Sequence, residues 1–379
     1  MSGISESLPA PRAGPERSLV GQLSGLDWAI LISVLALACL GLATVHSASA
    51  ELPVDYLPRQ AIWVGLGLAV LAIAFFTDYH FLVDLSLPLF LLACALLVVV
   101  DLAGVVRSGA QSWLAIGSFA FQPAELAKLA TVLFLTRYLA EINRRVLSIK
   151  DIALTGLIAA VPMALIAVQP DLGTAAMFVP MVSGMLLVGG VRVKLWLTGV
   201  VALVVLAGAV WLFGMQPYQR ERVMTYFEPG ADPLGAGYQV RQSKIAVGSG
   251  QLSGRGYGQG TQSQLRFLPA RHTDFVFAVL AEEWGFLGVL GALGLYAVLI
   301  VNGARVAIRA RDREGILLVV GLLSIIAFHI LYNTAMVVGL VPITGIPLPF
   351  LSYGGSFTLL NFAAIGLILG VDVRRYVNR

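Results

Sequence analysis

Charge is what this chain has least of. Only 12% of its 379 residues are Asp, Glu, Lys or Arg, and 58% are hydrophobic, whereas a soluble domain is about a quarter charged. That shortage excludes an ordinary soluble enzyme. Cysteine is nearly absent: Cys39 and Cys94 are the only two. Both fall within apolar runs, so neither a disulfide framework nor a metal site is indicated. The four histidines, His46, His80, His272 and His329, are scattered without zinc-ligand spacing. His329, in an apolar stretch, reads as a hydrogen-bonded packing residue. A nucleotide fingerprint is missing too. The glycines between Gly248 and Gly260 come with neither G-x-x-x-x-G-K-[ST] nor a βαβ context, so they read as tight turns and close backbone approaches. A net charge of +4 without a binding motif excludes nucleic acid as a partner.

Long apolar runs are what is there. Trp28 to Ala50 contains no Asp, Glu, Lys or Arg, and about 20 apolar residues suffice to cross the hydrocarbon layer. Run length and periodicity predict an all-α polytopic membrane protein of about ten transmembrane helices. These lie near 26–47, 58–77, 82–101, 122–141, 152–169, 172–191, 194–214, 274–301, 315–340 and 348–371, the third being the weakest because it is short and holds Pro88. The stretch Met1 to Gln22 is polar and has no apolar signal core. It predicts a disordered cytosolic tail over 1–22, ahead of one membrane domain over 23–379.

Basic residues set the orientation. Arg12, Arg137, Lys150, Arg192, Arg311 and Arg375 all fall on one side under ten-span parity, so the positive-inside rule puts both termini in the cytoplasm. The large loop 215–273, between spans seven and eight, is then extracytoplasmic. It is basic, with Arg220, Arg222, Arg241, Lys244, Arg255, Arg266 and Arg271 facing only Glu221, Glu228 and Asp232. The rule speaks mainly to short loops, so this excess can be incidental. The functional reading is an anion site, because Arg captures phosphate bidentately. Within the loop, 237–247 alternates apolar and basic residues at helical spacing, predicting a short interfacial helix.

The stretch that concentrates chemistry is Leu268 to Gly288, with Arg271, His272 and Asp274 followed by Glu282 and Glu283. Ionisable groups in membrane segments are functional candidates. The rival reading is that Thr273 or Asp274 merely N-caps span eight. Glu282 and Glu283 would lie about 12 Å further along the helix at about 1.5 Å per residue, so at most one shares the face of Asp274. Three further polar sites stand out. Glu125 and Lys128 in Gln122-Pro-Ala-Glu-Leu-Ala-Lys128 share a helix face, as an active pair or an internal strut. Asp171 in Gln169-Pro-Asp-Leu-Gly-Thr174 reads as an N-cap. Gly345-Ile-Pro-Leu-Pro-Phe-Leu-Ser-Tyr-Gly-Gly-Ser356 fits a broken or re-entrant start to span ten, tolerated only where backbone lines a protein cavity. All of these fall near the outer face, which tips Asp274 toward function.

A carboxylate ringed by Arg and Lys at the mouth of a helical bundle fits group transfer on an anionic, membrane-linked substrate. A polyprenyl diphosphate would bring its own leaving group, with Asp274 as general base. A transporter or flippase would use the same charges to bind and carry its substrate. Physics alone leaves both open.

The motifs Gln122-Pro-Ala-Glu125 with Lys128, Gln169 to Thr174, Arg271-His-Thr-Asp-Phe275 with Ala281-Glu-Glu283, and Pro347 to Ser356 resemble those of the SEDS (shape, elongation, division, sporulation) family, in order and across nearly the whole chain. Tyr218-Gln-Arg-Glu-Arg-Val223, Asp232-Pro-Leu-Gly-Ala-Gly-Tyr238 and Gly260-Thr-Gln-Ser-Gln-Leu265 are more similar to the elongation branch than to the division branch. The resemblance implies a peptidoglycan glycosyltransferase that polymerises lipid II outside the cytoplasmic membrane, with Asp274 catalytic and undecaprenyl diphosphate leaving. It makes Glu125, Lys128, Asp171, Glu282 and Glu283 the supporting polar network. It leaves Arg107, Arg220, Arg222, Lys244, Arg271 and His272 as candidates for holding the diphosphate. It also implies a divalent cation (magnesium or manganese, ligands unassigned), a class B penicillin-binding protein as transpeptidase partner, and the elongation machinery. The alternatives it leaves are a lipid II flippase without bond-forming chemistry and a division-branch enzyme of the same chemistry. Departures from the family pattern are Ser112 where Arg is usual, with Arg107 as its candidate replacement, Ala124 for Ser, and Ala270 for Glu.

Overall fold

The structure is a computed structural model and describes residues 26–50, 52, 55–107, 110–116, 119–142, 144, 146–209, 224, 235–265 and 267–375. The expected tail over 1–22, Arg220, Arg222 and the stretch Tyr218 to Val223 lie outside the described residues. In chain order the helices are α1 (Trp28–Ser49), α2 (Leu57–Phe76), α3 (Tyr79–Asp84), α4 (Ser86–Ala103), α5 (Pro123–Glu141), α6 (Ile149–Val168), α7 (Leu172–Ala176), α8 (Phe178–Gly189), α9 (Val193–Ala209), α10 (Ala236–Ser249), α11 (Thr261–Gln264), α12 (Val276–Arg309), α13 (Arg313–Val337) and α14 (Gly355–Arg374).

Among the described residues, eight segments are long and apolar enough to cross a membrane: α1, α2, α4, α6, α7 with α8, α12, α13 and α14. Two more helices complete the ten expected. One is α5, which carries Glu125, Lys128, Arg137 and Glu141. The other is α9, apolar over the shorter Val193–Val205. The polytopic all-α class therefore stands. Outside it is a small antiparallel ribbon between α4 and α5 that the hydropathy pattern did not announce: β1 (Val105–Arg107), β2 (Ala110–Ile116) and β3 (Phe119–Phe121).

Local chemistry explains where the helices stop. Asp27 caps α1 by accepting from Ala29 N at 3.1 Å. Ser148 and Asp151 form a capping box that starts α6. Span six is split at Met177, because Pro180 has no N–H and its ring clashes with the carbonyl four residues back, at Ala176. Span three is likewise split at Leu85 into α3 and α4, with Pro88 in the tolerant first turn of α4. The longest helix, α12, starts at Val276 and not at 274 and runs on to Arg309. Span ten is corrected more strongly: prolines 347 and 349 keep the chain non-helical until Gly355. Close approach between α2 and α14 relies on small residues. A Cβ on Gly67 would lie 3.0 Å from ring atoms of Phe362, and one on Gly366 would lie 2.8 Å from Ala74 Cβ.

Two stretches inside the bundle abandon helical backbone. In α12, Gly285 has φ 64° and ψ −163°. The loop after α10 crosses this break and pairs the groups it frees. Arg255 N donates to Glu282 O at 3.0 Å and Gly256 N to Glu283 O at 3.0 Å, while Phe286 N donates to Gln251 O at 2.8 Å and Leu287 N to Leu252 O at 3.1 Å. The glycine-rich run therefore serves close backbone approach, as expected: a Cβ on Gly254 (φ +81°) would sit 2.6 Å from Trp284 N. The second stretch, residues 340–354, leads into α14 and builds the candidate site.

Candidate active site

The lead-in to α14 is held by side chains from three helices. From α13, Asn333 Nδ2 donates to Ile346 O at 2.7 Å, and His329 Nδ1 lies 2.9 Å from Pro347 O. From α12, the buried Tyr296 hydroxyl donates to Pro349 O. From α2, Gln60 Nε2 donates to Ser352 O at 3.3 Å and its Oε1 accepts from Gly354 N at 3.3 Å. Within the lead-in, Leu348 N donates to Ser352 Oγ at 2.8 Å. Buried non-helical backbone needs such partners because no water is there to supply them. Phe350, fully inside, takes φ 65°, a left-handed conformation that a bulky residue adopts only when its surroundings enforce it.

This lead-in clamps the segment that carries Asp274. Three successive carbonyls are captured: His272 O by Tyr353 N at 2.9 Å, Thr273 O by Ser352 Oγ at 2.6 Å, and Asp274 O by Asn333 Nδ2 at 2.8 Å. Just upstream, Ala270 (φ 48°) turns its carbonyl toward the amides of Thr273, Asp274 and Phe275 at 3.1, 3.1 and 3.3 Å. The N-cap position of α12 is Phe275 and makes no side-chain cap bond, so the reading of Thr273 or Asp274 as a helix cap is not what the structure shows. Asp274 is half-buried, and its Oδ2 lies 3.7 Å from where a Cβ on Gly345 would stand. Gly345 has φ +75°, so this roof over the carboxylate depends on a glycine for its backbone conformation.

The supporting residues divide. Glu125 and Lys128 form a buried ion pair at 2.7 Å, and Lys128 Nζ also lies 3.2 Å from His329 Nε2. They line a small cavity with His329, Phe357 and Asn361. A carbonyl can only accept, so His329 Nδ1 carries the proton to Pro347 O and Nε2 accepts from Lys128. The ion pair lies within α5, the Lys128–His329 contact links α5 to α13, and His329 is hydrogen-bonded as its apolar setting suggested. Asp171 is the N-cap of α7, accepting from Thr174 N at 3.0 Å and from Gln122 Nε2 at 3.3 Å. Glu282 accepts from Gln262 N at 2.8 Å and Ser263 N at 3.2 Å at the start of α11, and Glu283 accepts from Ser47 of α1. These two acids fasten the loop and α1 to α12.

The candidate anion-binding residues also separate. Arg271 is buried, its guanidinium donating to Ala48 O at 2.6 Å and to Ser263 O. It is a staple between α1 and α11, and burial, not solvent, surrounds its charge. His272 stacks on Tyr56 with ring centroids 4.5 Å apart and 19° between planes. Burial and then the charge of Arg271 push its pKa below the usual histidine value, which favours the neutral ring. Lys244 is exposed on α10, reaching over Gly339. Arg107 lies in β1. Among the described residues no three His, Cys, Asp or Glu side chains converge, so these residues alone do not form a complete cage for the expected divalent cation.

Sequence reasoning passed over Asn333, Ser352, Gln60 and Tyr56. The signal for Asn333 was present: it stands one helical turn from His329 on an otherwise apolar helix, and paired polar residues in a span are candidates together.

Helices packed around satisfied non-helical backbone, with a clamped, half-buried acid where one helix begins, define a polytopic membrane protein with a preorganised acidic site. The chain belongs to the FTSW_RODA_SPOVE cell cycle protein family, whose model matches residues 27–377. It is 39% identical over 352 residues to the peptidoglycan glycosyltransferase MrdB of Escherichia coli (strain K12), covering 92% of this chain and 94% of that one. To the stage V sporulation protein E of Bacillus subtilis (strain 168) it is 38% identical over 357 residues, covering 91% and 96%. Among solved structures it is similar to the rod shape determining protein RodA of Thermus thermophilus (31% identity, TM-score 0.70) and to a chain of a peptidoglycan synthase complex that coordinates polymerization and crosslinking (34%, TM-score 0.80). Each match covers 93% of this chain and 98% of the other.

Proposed function

We propose that this protein is a peptidoglycan glycosyltransferase of the elongation branch, polymerising lipid II at the outer face of the bacterial cytoplasmic membrane. Asp274 takes the proton from the 4-hydroxyl of the GlcNAc of an incoming lipid II. The freed oxygen attacks the anomeric carbon of MurNAc on the growing strand. The new glycosidic bond forms with inversion as the bond to undecaprenyl diphosphate breaks, and that diphosphate leaves with the electron pair. The observation that carries this reading is the clamp: a half-buried acid on backbone immobilised at three successive carbonyls meets the positional demand on a general base. The likeness to named glycosyltransferases supports the reaction class. The outward orientation rests on the basic residues of the opposite loops. The likeness to a chain of a synthase complex supports a crosslinking partner, which we assign to the class B penicillin-binding proteins. Lys244 is the exposed candidate for the departing diphosphate, and Arg107 the second.

The test is gel-resolved polymerisation of labelled lipid II by the purified protein with a glycosyltransfer-free penicillin-binding partner. Glycan ladders from wild type that fall by about 100-fold to 10,000-fold in Asp274→Asn, at unchanged folding, are expected. Absence of ladders from wild type sinks the polymerase reading. Equal ladders from both proteins remove Asp274 from the chemistry.

A further inference from the structure

Asn333 sits within α13, fully buried, and reaches two segments at once. Its Nδ2 lies 2.8 Å from the carbonyl of Asp274 and 2.7 Å from the carbonyl of Ile346. Both partners are acceptors, so the orientation of the amide is settled by its surroundings: the NH₂ end must face them. Ile346 directly follows Gly345, the residue that roofs the Asp274 carboxylate. One amide therefore fixes the main chain of the acid and the main chain of its roof to the same point. One turn earlier on α13, His329 holds the next carbonyl of the lead-in, Pro347 O, so the roof is pinned twice to one helix face.

We propose that Asn333 is a positioning residue for the reaction, setting the placement of the Asp274 carboxylate relative to Gly345 and hence to the hydroxyl it deprotonates. The inference rests on the reading of Asp274 as general base. It asks more of Asn333 than stability. An amide that only held the fold would lower the amount of active protein, leaving the turnover of the folded remainder unchanged. A misplacement of about 1 Å at a general base lowers turnover by about 100-fold, with the substrate still bound by groups elsewhere.

The experiment compares Asn333→Asp and Asn333→Gln in the full chain with its partner, measuring kcat and KM for labelled lipid II beside the thermal midpoint. Asn333→Asp keeps the shape and replaces the two N–H donors with a carboxyl that offers one O–H when protonated and none when ionised. Asn333→Gln keeps the donors on a longer arm. The expected result is a fall in kcat of about 100-fold in the folded Asp variant, KM within about twofold, and a recovery of about tenfold, short of wild type, in the Gln variant. A folded Asp variant with kcat within about threefold of wild type overturns the proposal. So does a loss that tracks the folded fraction alone. Should the Asp variant fail to fold, Asn333→Gln decides: lowered kcat at unchanged KM supports positioning, and full activity overturns it. An Asp274→Asn protein as active as wild type would overturn the base reading itself, and the positioning role would fall with it, whereas an inactive Asp274→Asn beside a normal Asn333→Asp would overturn only the latter.

Discussion

The two places where the bundle gives up helical backbone solve one problem by opposite means. At Gly285 the freed groups are paired main chain to main chain by residues 251–256. In the lead-in to α14 they are paired by side chains, Gln60, Tyr296, His329 and Asn333. The first solution needs close approach and so selects glycine. The second needs particular donors on particular helices and so selects polar residues in apolar surroundings. The difference has a functional side. A main-chain patch fastens a loop, and a side-chain patch can hold a third party too, as Ser352 and Asn333 do for the segment of Asp274.

The comparison breaks most severely at Gly254. With φ +81° and a Cβ that would meet Trp284 N at 2.6 Å, Gly254→Val should destabilise the protein by about 3 kcal/mol or more. Thermal unfolding in detergent reads this, and a variant within a degree of wild type would show that the patch tolerates bulk. The side-chain patch should yield less per change. Gln60→Leu leaves Ser352 O and Gly354 N without their partner inside the bundle, a loss of about 1–3 kcal/mol, with glycan synthesis reduced because the carbonyl of the residue that clamps Thr273 is released. Gly258 sharpens the contrast from the other side. It has φ +70° but no atom within 4 Å of a Cβ, so Gly258→Ala should cost only about 1 kcal/mol of backbone strain.

The smallest effect is a pH dependence. His272 has its folded pKa lowered, first by burial and then by Arg271, so below about 6.5 the unfolded chain binds more protons there than the folded one. Stability from this group is complete above that pH and is lost as the pH falls below it. The thermal midpoint should drop as the pH falls below about 6.5, and His272→Gln should remove that part of the drop.

Much of the fold was legible because apolar runs and charged turns are one-dimensional signals. The ten helices, the cap at Asp171 and the Glu125–Lys128 pair could be read from spacing. Prolines 347 and 349 flagged the irregular start of α14, though not how far it would run. The break at Gly285 was hidden. Gly288, Gly291 and Gly294 follow it in the same helix, and only a loop from some thirty residues earlier decides which glycine bends. Two contacts of Arg271 were hidden for a related reason: Ala48 O and Ser263 O, to which it donates, are backbone atoms that no side-chain pattern announces. The clamp on Asp274 is of the same kind, assembled from α13 and the lead-in far along the chain.

The tautomer of His329 has a consequence for where protons can go. On one side of the ring stands an ammonium group that only donates, and on the other a proline carbonyl that only accepts. The ring bridges them with a single proton already committed, and the carbonyl has no hydrogen to pass on. The polar line from Glu125 through Lys128 and His329 to Pro347 is thus an insulator, although it looks like a wire. A proton arriving at Asp274 therefore finds no conducting path into the bundle along this line.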